Sequence, residues 1–590
     1  MVVDRTRERV ETSADDGGDV LGITLLGQRG ETGQIGEQHG CVPALAVPGA
    51  FHVHLPGGQL APPGVPVVKG KSHRYVAVLV RPVRATSLFA TLASAVLYGL
   101  AFPPVAWRVL AWVALVPFFL AVRAVRLRAA LGLAVAWTFA MAYAVGDCFP
   151  RAVATYYNQP FIVGIGFFVA VSSLLMAVYY APFAAFYRAV ARDPGPWSPL
   201  LVGAAWVTAE LARVRSPVGH PWALIGYSQT GVQPLMQIAD VTGVYGVSFL
   251  VVATNAALAD LCWTLRLARR SPAKAGRGLL PVLLLTLVVL AYGSVRRMTL
   301  PPLSGGAVET AVVQANLDLG SQWRDEMYGQ NLDAYLRLTQ QALHAGSVQL
   351  VIWPESSMTF LLDQEPMYRR AIAVVIGQWN AELVAGGPRF ERSRYYNSAF
   401  LVSPAGTVLA RYDKQLLLPF AEYFPFARFA TLQRRFARVR EFTPGDNVVS
   451  LPTVAGRGGV VVCNEAMFPD MVAQRVRAGA TYLINLANDT WLGDSKYSLK
   501  MFEIATWRAV EQRRMLVRAS TSGPSAFVDV TGAVLQRTAP FTAATITGTI
   551  QPSTIITTYC RVGDAFAFGC AAIVALTLLR WAVTRVRRST

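Results

Sequence analysis

The sequence predicts a polytopic α-helical membrane domain joined to an exported α/β domain in which helices cover β-sheets. Three observations carry that expectation. Hydrophobic residues make up 53% of the 590-residue chain against 15% charged, with a mean hydropathy of +0.38, the balance of an integral membrane protein. Apolar segments recur at the length a helix needs to cross ~30 Å of hydrocarbon. Between the last two of them, residues 300–560 change to alternating β-branched runs and amphipathic helical stretches. A chain this long exceeds what one hydrophobic core fills, so more than one folding unit is expected.

Taken in order, residues 1–80 are rich in Gly, Pro and charge without sustained periodicity, and read as a disordered or poorly ordered extension. Residues 81–299 hold about seven expected membrane helices, at 86–103, 106–123, 129–149, 160–187, 198–214, 236–264 and 278–295. An eighth, at 563–584, lies in a C-terminal unit, 561–590, with a basic tail. The net charge of +19 falls in short runs between these segments: Arg123, Arg126 and Arg128; Arg188 and Arg192; Arg266, Arg269, Arg270, Lys274 and Arg277; Arg585, Arg587 and Arg588. Loops after the second, fourth and sixth spans are the basic ones, so both termini are expected in the cytoplasm and 300–560 outside. Topology thus accounts for the charge, and no nucleic-acid partner is expected.

The strands expected in the exported domain include ETAVVQANL, VQLVIWPES, AELVAGGPRF, SAFLVSP with AGTVLARY, GGVVVCNEA, ATYLINLAND, MLVRAS, and SAFVDV with TGAVLQRT. Turn signals at Pro404-Ala405-Gly406 and Thr531-Gly532 separate hairpin partners. No repeat of 20–50 residues stands out. Six cysteines (Cys41, Cys148, Cys262, Cys463, Cys560, Cys570) lack CxxC or metal-type spacing, so neither a disulfide framework nor a metal site is expected. Cys262 and Cys570 fall inside apolar segments as small hydrophobes.

Three strand ends carry chemistry. The run GVVV stops at Cys463, LVIWPES ends at Glu355, and VLARYDK places Lys414 just past a strand. Cysteine attacks only as thiolate, so a partner must take or offset its proton. The exported domain contains one histidine, His344, in the helical LTQQALHAG, which argues against a Cys-His dyad. Glu355 is then the candidate base, and Lys414 supplies positive charge for thiolate and oxyanion. Glu422 in LPFAEYFPF and Glu465 lie near enough in sequence to surround the same pocket. Singly, each has a structural reading: a buried cysteine, a helix N-terminal carboxylate at Glu355, a surface pair of Lys414 with Asp413. Together, in order and at strand ends, they point to catalysis.

Those motifs resemble the nitrilase (carbon-nitrogen hydrolase) superfamily, and over residues 86–585 its membrane-bound apolipoprotein N-acyltransferase family. The marks are WPES at 353–356, YDK with LPFAEYFP at 412–425, CNEAMFP at 463–469, NDTWLG at 488–493, WRAVEQRR with LVRAS at 507–520, and GHPWALIGYSQ at 219–229 in the membrane part. The resemblance implies an α-β-β-α sandwich and ping-pong acyl transfer without a cofactor, by a monomer in the bacterial inner membrane with its catalytic domain on the periplasmic face. Cys463 would take an acyl chain from a phospholipid as a thioester and pass it to the N-terminal S-diacylglyceryl cysteine of a lipoprotein. Glu355 becomes general base and Lys414 transition-state stabiliser. Glu422 and Glu465 become supporting carboxylates, and Trp323 in GSQWRDE a functional tryptophan over the site. The chain departs from the family at Asn464, commonly tyrosine, at Ala421 in AEY for GEY, and at Met501, often histidine.

In the membrane half, Asp147, Glu210, Asp240 and Asp260 lie in or beside apolar spans, where ionisable groups are functional or paired. Glu210 and Arg213, at i,i+3, read as a structural pair. Trp222, Tyr227, Tyr156 and Tyr157 read as interfacial anchors, and His220 as a polar residue at the water boundary. Two rival readings are a membrane-tethered amidase or nitrilase and a catalytically silent lipid- or lipoprotein-binding paralogue. GHPWALIGYSQ and the seven spans speak against the first, whereas Asn464 and Met501 keep the second open. A transporter finds no support in an inverted repeat or a broken-helix pair.

Overall fold

The computed structural model describes residues 85–589 except 217, 218, 220, 268–275, 302–305, 318–324, 426–430, 432–440, 491, 492 and 494. The N-terminal extension, His220 and Trp323 therefore lie outside the described residues.

Among the described residues five helices are long and apolar enough to cross a membrane: Leu127–Gly146, Phe161–Val190, Val244–Leu265, Gly276–Thr299 and Ala565–Arg587. Ala85–Leu100 is shorter but apolar, and Ser198–Val214 packs closely on the Val244 helix, where Gly203 leaves no room for a Cβ against the Phe249 carbonyl. The second expected span, 106–123, is not one helix. A 3₁₀ turn at Arg108–Trp112 gives way to the nine-residue helix Val116–Ala124 with Pro117 in its first turn, where proline starts a helix but cannot continue one.

The domain after the seventh apolar segment contains twelve described strands: β1 Val308–Gln314, β2 Leu350–Ile352, β3 Glu382–Glu391, β4 Arg394–Val402, β5 Val408–Asp413, β6 Ser450–Thr453, β7 Gly456–Val462, β8 Tyr482–Ala487, β9 Leu516–Ser520, β10 Ala526–Val528, β11 Val534–Arg537 and β12 Ala544–Ile550. They form two six-stranded sheets, β12-β1-β2-β3-β4-β5 and β6-β7-β8-β9-β10-β11. Each sheet has the same pattern: one antiparallel edge strand, three parallel strands, then two antiparallel strands. The strands' period-2 alternation builds three apolar layers. Val312, Ile352, Val384 and Leu401 face Val460, Val462, Ile484 and Val517 between the sheets. Ala311, Val351 and Leu383 turn the other way onto the helices Tyr328–Ala345 and Pro366–Gly377. Val461, Leu483 and Leu516 turn onto Pro469–Arg477 and Ser495–Gln512. The result is an α-β-β-α sandwich. Its Ser495–Gln512 helix also buries Tyr497, Met501, Ile504, Trp507 and Val510 in the core of the membrane bundle.

Candidate active site

Cys463 follows β7 directly, Lys414 follows β5 directly, and Glu355 lies three residues beyond β2. Cys463 opens a 3₁₀ turn, Cys463–Met467, with φ +52, a left-handed conformation that a side-chain-bearing residue keeps only where its surroundings impose it. Gly386 of β3 explains how the Glu355 segment fits: a Cβ there would lie 2.7 Å from the Glu355 Cα.

The polar groups converge. Lys414 Nζ lies 2.8 Å from Glu422 Oε2 and 3.4 Å from Glu355 Oε1. Asn397 Nδ2 donates to Glu355 Oε1 at 2.8 Å and to Glu422 Oε1 at 2.7 Å. Lys414 N donates to the Asn397 carbonyl at 2.8 Å, so one strand residue orients all three charged groups. Among the described residues no nitrogen or oxygen donor meets Glu355 Oε2, and the carboxylate lies close enough to Cys463 for each to act on the other's ionisation. Glu355, Lys414 and Cys463 are all buried.

That burial sets the protonation states. It pushes the Glu355 carboxyl above the ordinary carboxylate range, with Lys414 opposing and Glu422 reinforcing the shift. It pushes the Cys463 thiol well up, and the Glu355 charge adds to the effect while Lys414 acts against it. Burial alone favours neutral Lys414, but Glu355 and Glu422 outweigh it and hold the ammonium well above its usual range. The resting site is thus a neutral thiol, a charged lysine, and a carboxylate of enhanced basicity.

Glu465 holds the backbone on either side of that cluster. Its Oε1 accepts from Tyr412 Oη (2.8 Å), Gln415 N (2.7 Å) and Leu416 N (3.1 Å), and its Oε2 from Val462 N (2.7 Å). Three donors meet Oε1 and one meets Oε2, so this carboxylate ties the Cys463 turn to the segment after Lys414. Asn464 Nδ2 donates to the Leu416 carbonyl at 3.3 Å, and its buried Oδ1 has no partner among the described residues. Asp413 pairs with Arg389 (2.7 Å) rather than with Lys414, and His344 packs edge-on against Trp379, 4.7 Å between centroids, with no part in the site. Asp489, near enough to Cys463 to act on its ionisation, is buried on Arg518 (2.7 Å) and Ser520 (2.8 Å).

Sequence reasoning missed Asn397. The expected strand SAFLVSP begins one residue after it, and the signal available was a polar residue heading an apolar run. The aromatics read as interfacial anchors join the two halves of the protein instead. Trp222 stacks on Tyr497 (5.3 Å, 18°), and Tyr227 Oη accepts from Arg508 Nη2 at 3.0 Å. Tyr156 and Tyr157 donate to the carbonyls of Ala421 and Phe420. Most of the membrane acids are paired: Asp147 with Lys496 (2.6 Å), Asp240 with Arg513 (2.8 Å) and Arg296 (2.9 Å), Asp260 with Arg123 (2.7 Å). The expected Glu210–Arg213 pair is not formed. Glu210 Oε1 accepts from Trp206 Nε1 and Ile225 N, both at 2.9 Å, while the Arg213 guanidinium lies 5.8 Å from the centroid of the Tyr180 ring.

Two family models match the chain, the apolipoprotein N-acyltransferase N-terminal domain over residues 94–257 and carbon-nitrogen hydrolase over 309–559. The apolipoprotein N-acyltransferase of Geobacter metallireducens is 36% identical over 82% of this chain and 94% of its own length. The chain belongs to the apolipoprotein N-acyltransferase family. Another relative with that name, from Brucella melitensis biotype 1, is 31% identical over 61% of this chain and 68% of its own. Among solved structures, Saccharomyces cerevisiae Nit3 of the nitrilase superfamily matches at 18% identity and a TM-score of 0.33, over 42% of this chain and 92% of that one. Family membership makes the chain an enzyme of lipoprotein N-acylation, and its fold is that of the carbon-nitrogen hydrolases.

Proposed function

We propose that the enzyme moves an acyl chain from a phospholipid to the α-amino group of the N-terminal S-diacylglyceryl cysteine of apolipoproteins, through a thioester on Cys463. The observation that carries this reading is the buried Glu355–Lys414–Cys463 cluster, whose Cys463 turn places Met467 in the apolar core shared with the membrane bundle. Glu355 takes the thiol proton as the sulfur attacks the phospholipid ester carbonyl. The Lys414 ammonium, held in place by Glu355 and Glu422, offsets the oxyanion of the tetrahedral intermediate. Collapse breaks the ester C–O bond, Glu355 returns the proton to the departing lysophospholipid alkoxide, and the thioester remains. The lipoprotein amine then attacks that carbonyl, Glu355 accepts its proton, and the C–S bond breaks to release amide and thiolate, which recovers the proton.

A neutral resting thiol suits this sequence, because a general base deprotonates it only when a carbonyl is in place. Trp323 is proposed to cover the bound substrate, and the basic loops support a multi-pass arrangement with 300–560 on the periplasmic side of the inner membrane. The test is direct. The purified protein in phospholipid liposomes should gain one acyl mass on Cys463, removable by hydroxylamine and transferable to a diacylglyceryl lipopeptide. Cys463→Ala should lose it, whereas Cys262→Ala and Cys570→Ala should keep it. Lipopeptide acylation with Cys463 unmodified throughout would overturn the thioester route.

A further inference from the structure

The loop Leu418–Phe424 carries Glu422 and is gripped from two sides. Within the catalytic domain, Leu418 N donates to Glu422 Oε2 at 2.7 Å, Phe420 N to the Tyr423 carbonyl at 2.8 Å, and Phe442 N to the Glu422 carbonyl at 2.9 Å. From the membrane domain, Tyr157 Oη donates to the Phe420 carbonyl and Tyr156 Oη to the Ala421 carbonyl at 3.5 Å. The Phe167 ring meets the Phe420 ring edge-on, 5.2 Å between centroids. Both tyrosines belong to the segment Phe149–Ser172, whose helices Phe149–Tyr156 and Phe161–Ser172 pack so closely that a Cβ on Gly164 would overlap the Pro150 carbonyl. Phe420 has φ +66, a left-handed conformation that relaxes unless neighbours hold it. Tyrosines at a membrane boundary ordinarily give their hydroxyl to headgroups and water. These two give it to consecutive carbonyls of one catalytic loop.

We propose that Tyr156 and Tyr157 are positioning residues for acyl transfer, and that docking of the Phe149–Ser172 segment holds Glu422 against Lys414. The proposal rests on the acyl-transfer reading above. The lever is short. Glu422 touches Lys414 at 2.8 Å and shares Asn397 with Glu355, so a loop shifted by a hydrogen-bond length withdraws one of the two carboxylates that fix the ammonium. Glu355 and Cys463 are then the remaining ionisable groups facing it. The catalytic lysine is in this way made sensitive to contact between the two halves of the protein.

The test uses full-length protein in phosphatidylethanolamine-containing liposomes and the initial rate of hydroxylamine-sensitive acylation of Cys463. Tyr156→Phe with Tyr157→Phe keeps both rings and removes both hydroxyls. The rate should fall about tenfold or more, as displacements near 1 Å do in preorganised sites. The phospholipid concentration giving half-maximal rate should move less than about twofold, the signature of an interaction with the reacting state rather than with substrate. The alkaline limb of the pH–rate profile should move to lower pH, because Lys414 loses Glu422. In a Glu422→Gln background the two Phe substitutions should cost nothing further, since both act on one contact. A wild-type rate and profile for the double variant would refute the proposal, as would an undiminished extra loss in the Glu422→Gln background, which marks general packing. Acylation of a diacylglyceryl lipopeptide by Cys463→Ala at the wild-type rate would instead remove the acyl-transfer reading itself, and the proposal with it.

Discussion

Asn397→Ala isolates how the site holds its base. The substitution removes one amide nitrogen that donates to two buried carboxylates, Glu355 Oε1 at 2.8 Å and Glu422 Oε1 at 2.7 Å. The bond from Lys414 N to the Asn397 carbonyl is a backbone bond and survives, so the strand register is kept. The Asn397 hydrogen bond favours ionised Glu355, hence its loss raises further a proton affinity that burial has already raised. A hydrogen bond to a charged group contributes about 1.5–3 kcal/mol, about 10–100-fold in the equilibrium it favours. The acid limb of the rate of acyl-Cys463 formation should therefore move toward alkali. Below that limb the rate should fall about 10–100-fold, and at higher pH most of it should return. The assay is the initial rate of hydroxylamine-sensitive acylation in liposomes across the pH range. A loss of equal size at every pH would mean that Asn397 supports the fold and not the base. An unchanged profile would refute the assignment of Glu355 as the base.

Glu355→Gln keeps the packing and removes the acceptor, so acyl-enzyme formation should fall by about 10²–10⁴, and a wild-type rate would exclude Glu355 as base. Lys414→Ala should lose about 10²–10³ in rate and also about 3–5 kcal/mol of stability in denaturant titration, because it leaves Glu355 and Glu422 buried without their cation. Glu465→Gln should lower the melting temperature, and an unchanged melting temperature would show that its four hydrogen bonds do not hold the Cys463 turn to the segment after Lys414. Glu503, on the Ser495–Gln512 helix and 3.4 Å from Arg108, has its carboxyl pushed by burial to about 7. A folded value above the unfolded one means stability is gained as pH falls through about 7 toward 4.5; Glu503→Gln should flatten that part of the melting curve against pH, by about 3 kcal/mol in all. A membrane-impermeant thiol reagent added outside should label a cysteine at Thr407 and fail at Ala273, and the reverse pattern would invert the topology.

The three residues of the proposed triad were legible in the sequence because a strand end needs only local information: an apolar run, a stop, and a reactive side chain. Glu355, Lys414 and Cys463 all satisfy that rule. Asn397 does not, since its role arises from the register that pairs β4 with β3 and β5, bringing residues 42 and 25 positions away to one amide. Glu465, two residues past Cys463 in a 3₁₀ turn, was placed near the site by its nearness in chain, but its partners, Val462 N, Gln415 N and Leu416 N, are set by tertiary packing. β6 and β12 went unremarked because SLPT carries a proline and ATITGTI a glycine and three threonines; each gains its place only by antiparallel pairing, with β7 and with β1. The expected Glu210–Arg213 pair failed for a related reason, since helical spacing permits i,i+3 contact but neighbouring helices decide where each head group turns.

The ion pairs of the membrane half acquire their meaning from the catalytic half. Asp147 meets Lys496 and Asp240 meets Arg513, bracketing the Ser495–Gln512 helix at its first turn and just past its last, while Arg215 joins Asp470 (2.5 Å) and Asp564 (2.6 Å) at the foot of the helix that follows the Cys463 turn. Exposed pairs of this kind contribute little to stability, but Asp240 with Arg513 is buried, and separating it would strand a charge at a cost of about 3–5 kcal/mol. The catalytic domain is therefore fixed over the bundle with Met467, Tyr497 and Met501 in the bundle's own apolar core. For acyl transfer that placement has an energetic use. Drawing a lipid chain into water costs about 0.8 kcal/mol per CH₂, or roughly 11 kcal/mol for fourteen methylenes. A thiol whose own turn places Met467 in the bundle's apolar core stands where such a cost can be spared. Met501, where the family often has histidine, is buried in the same core, where an apolar side chain packs without needing a partner.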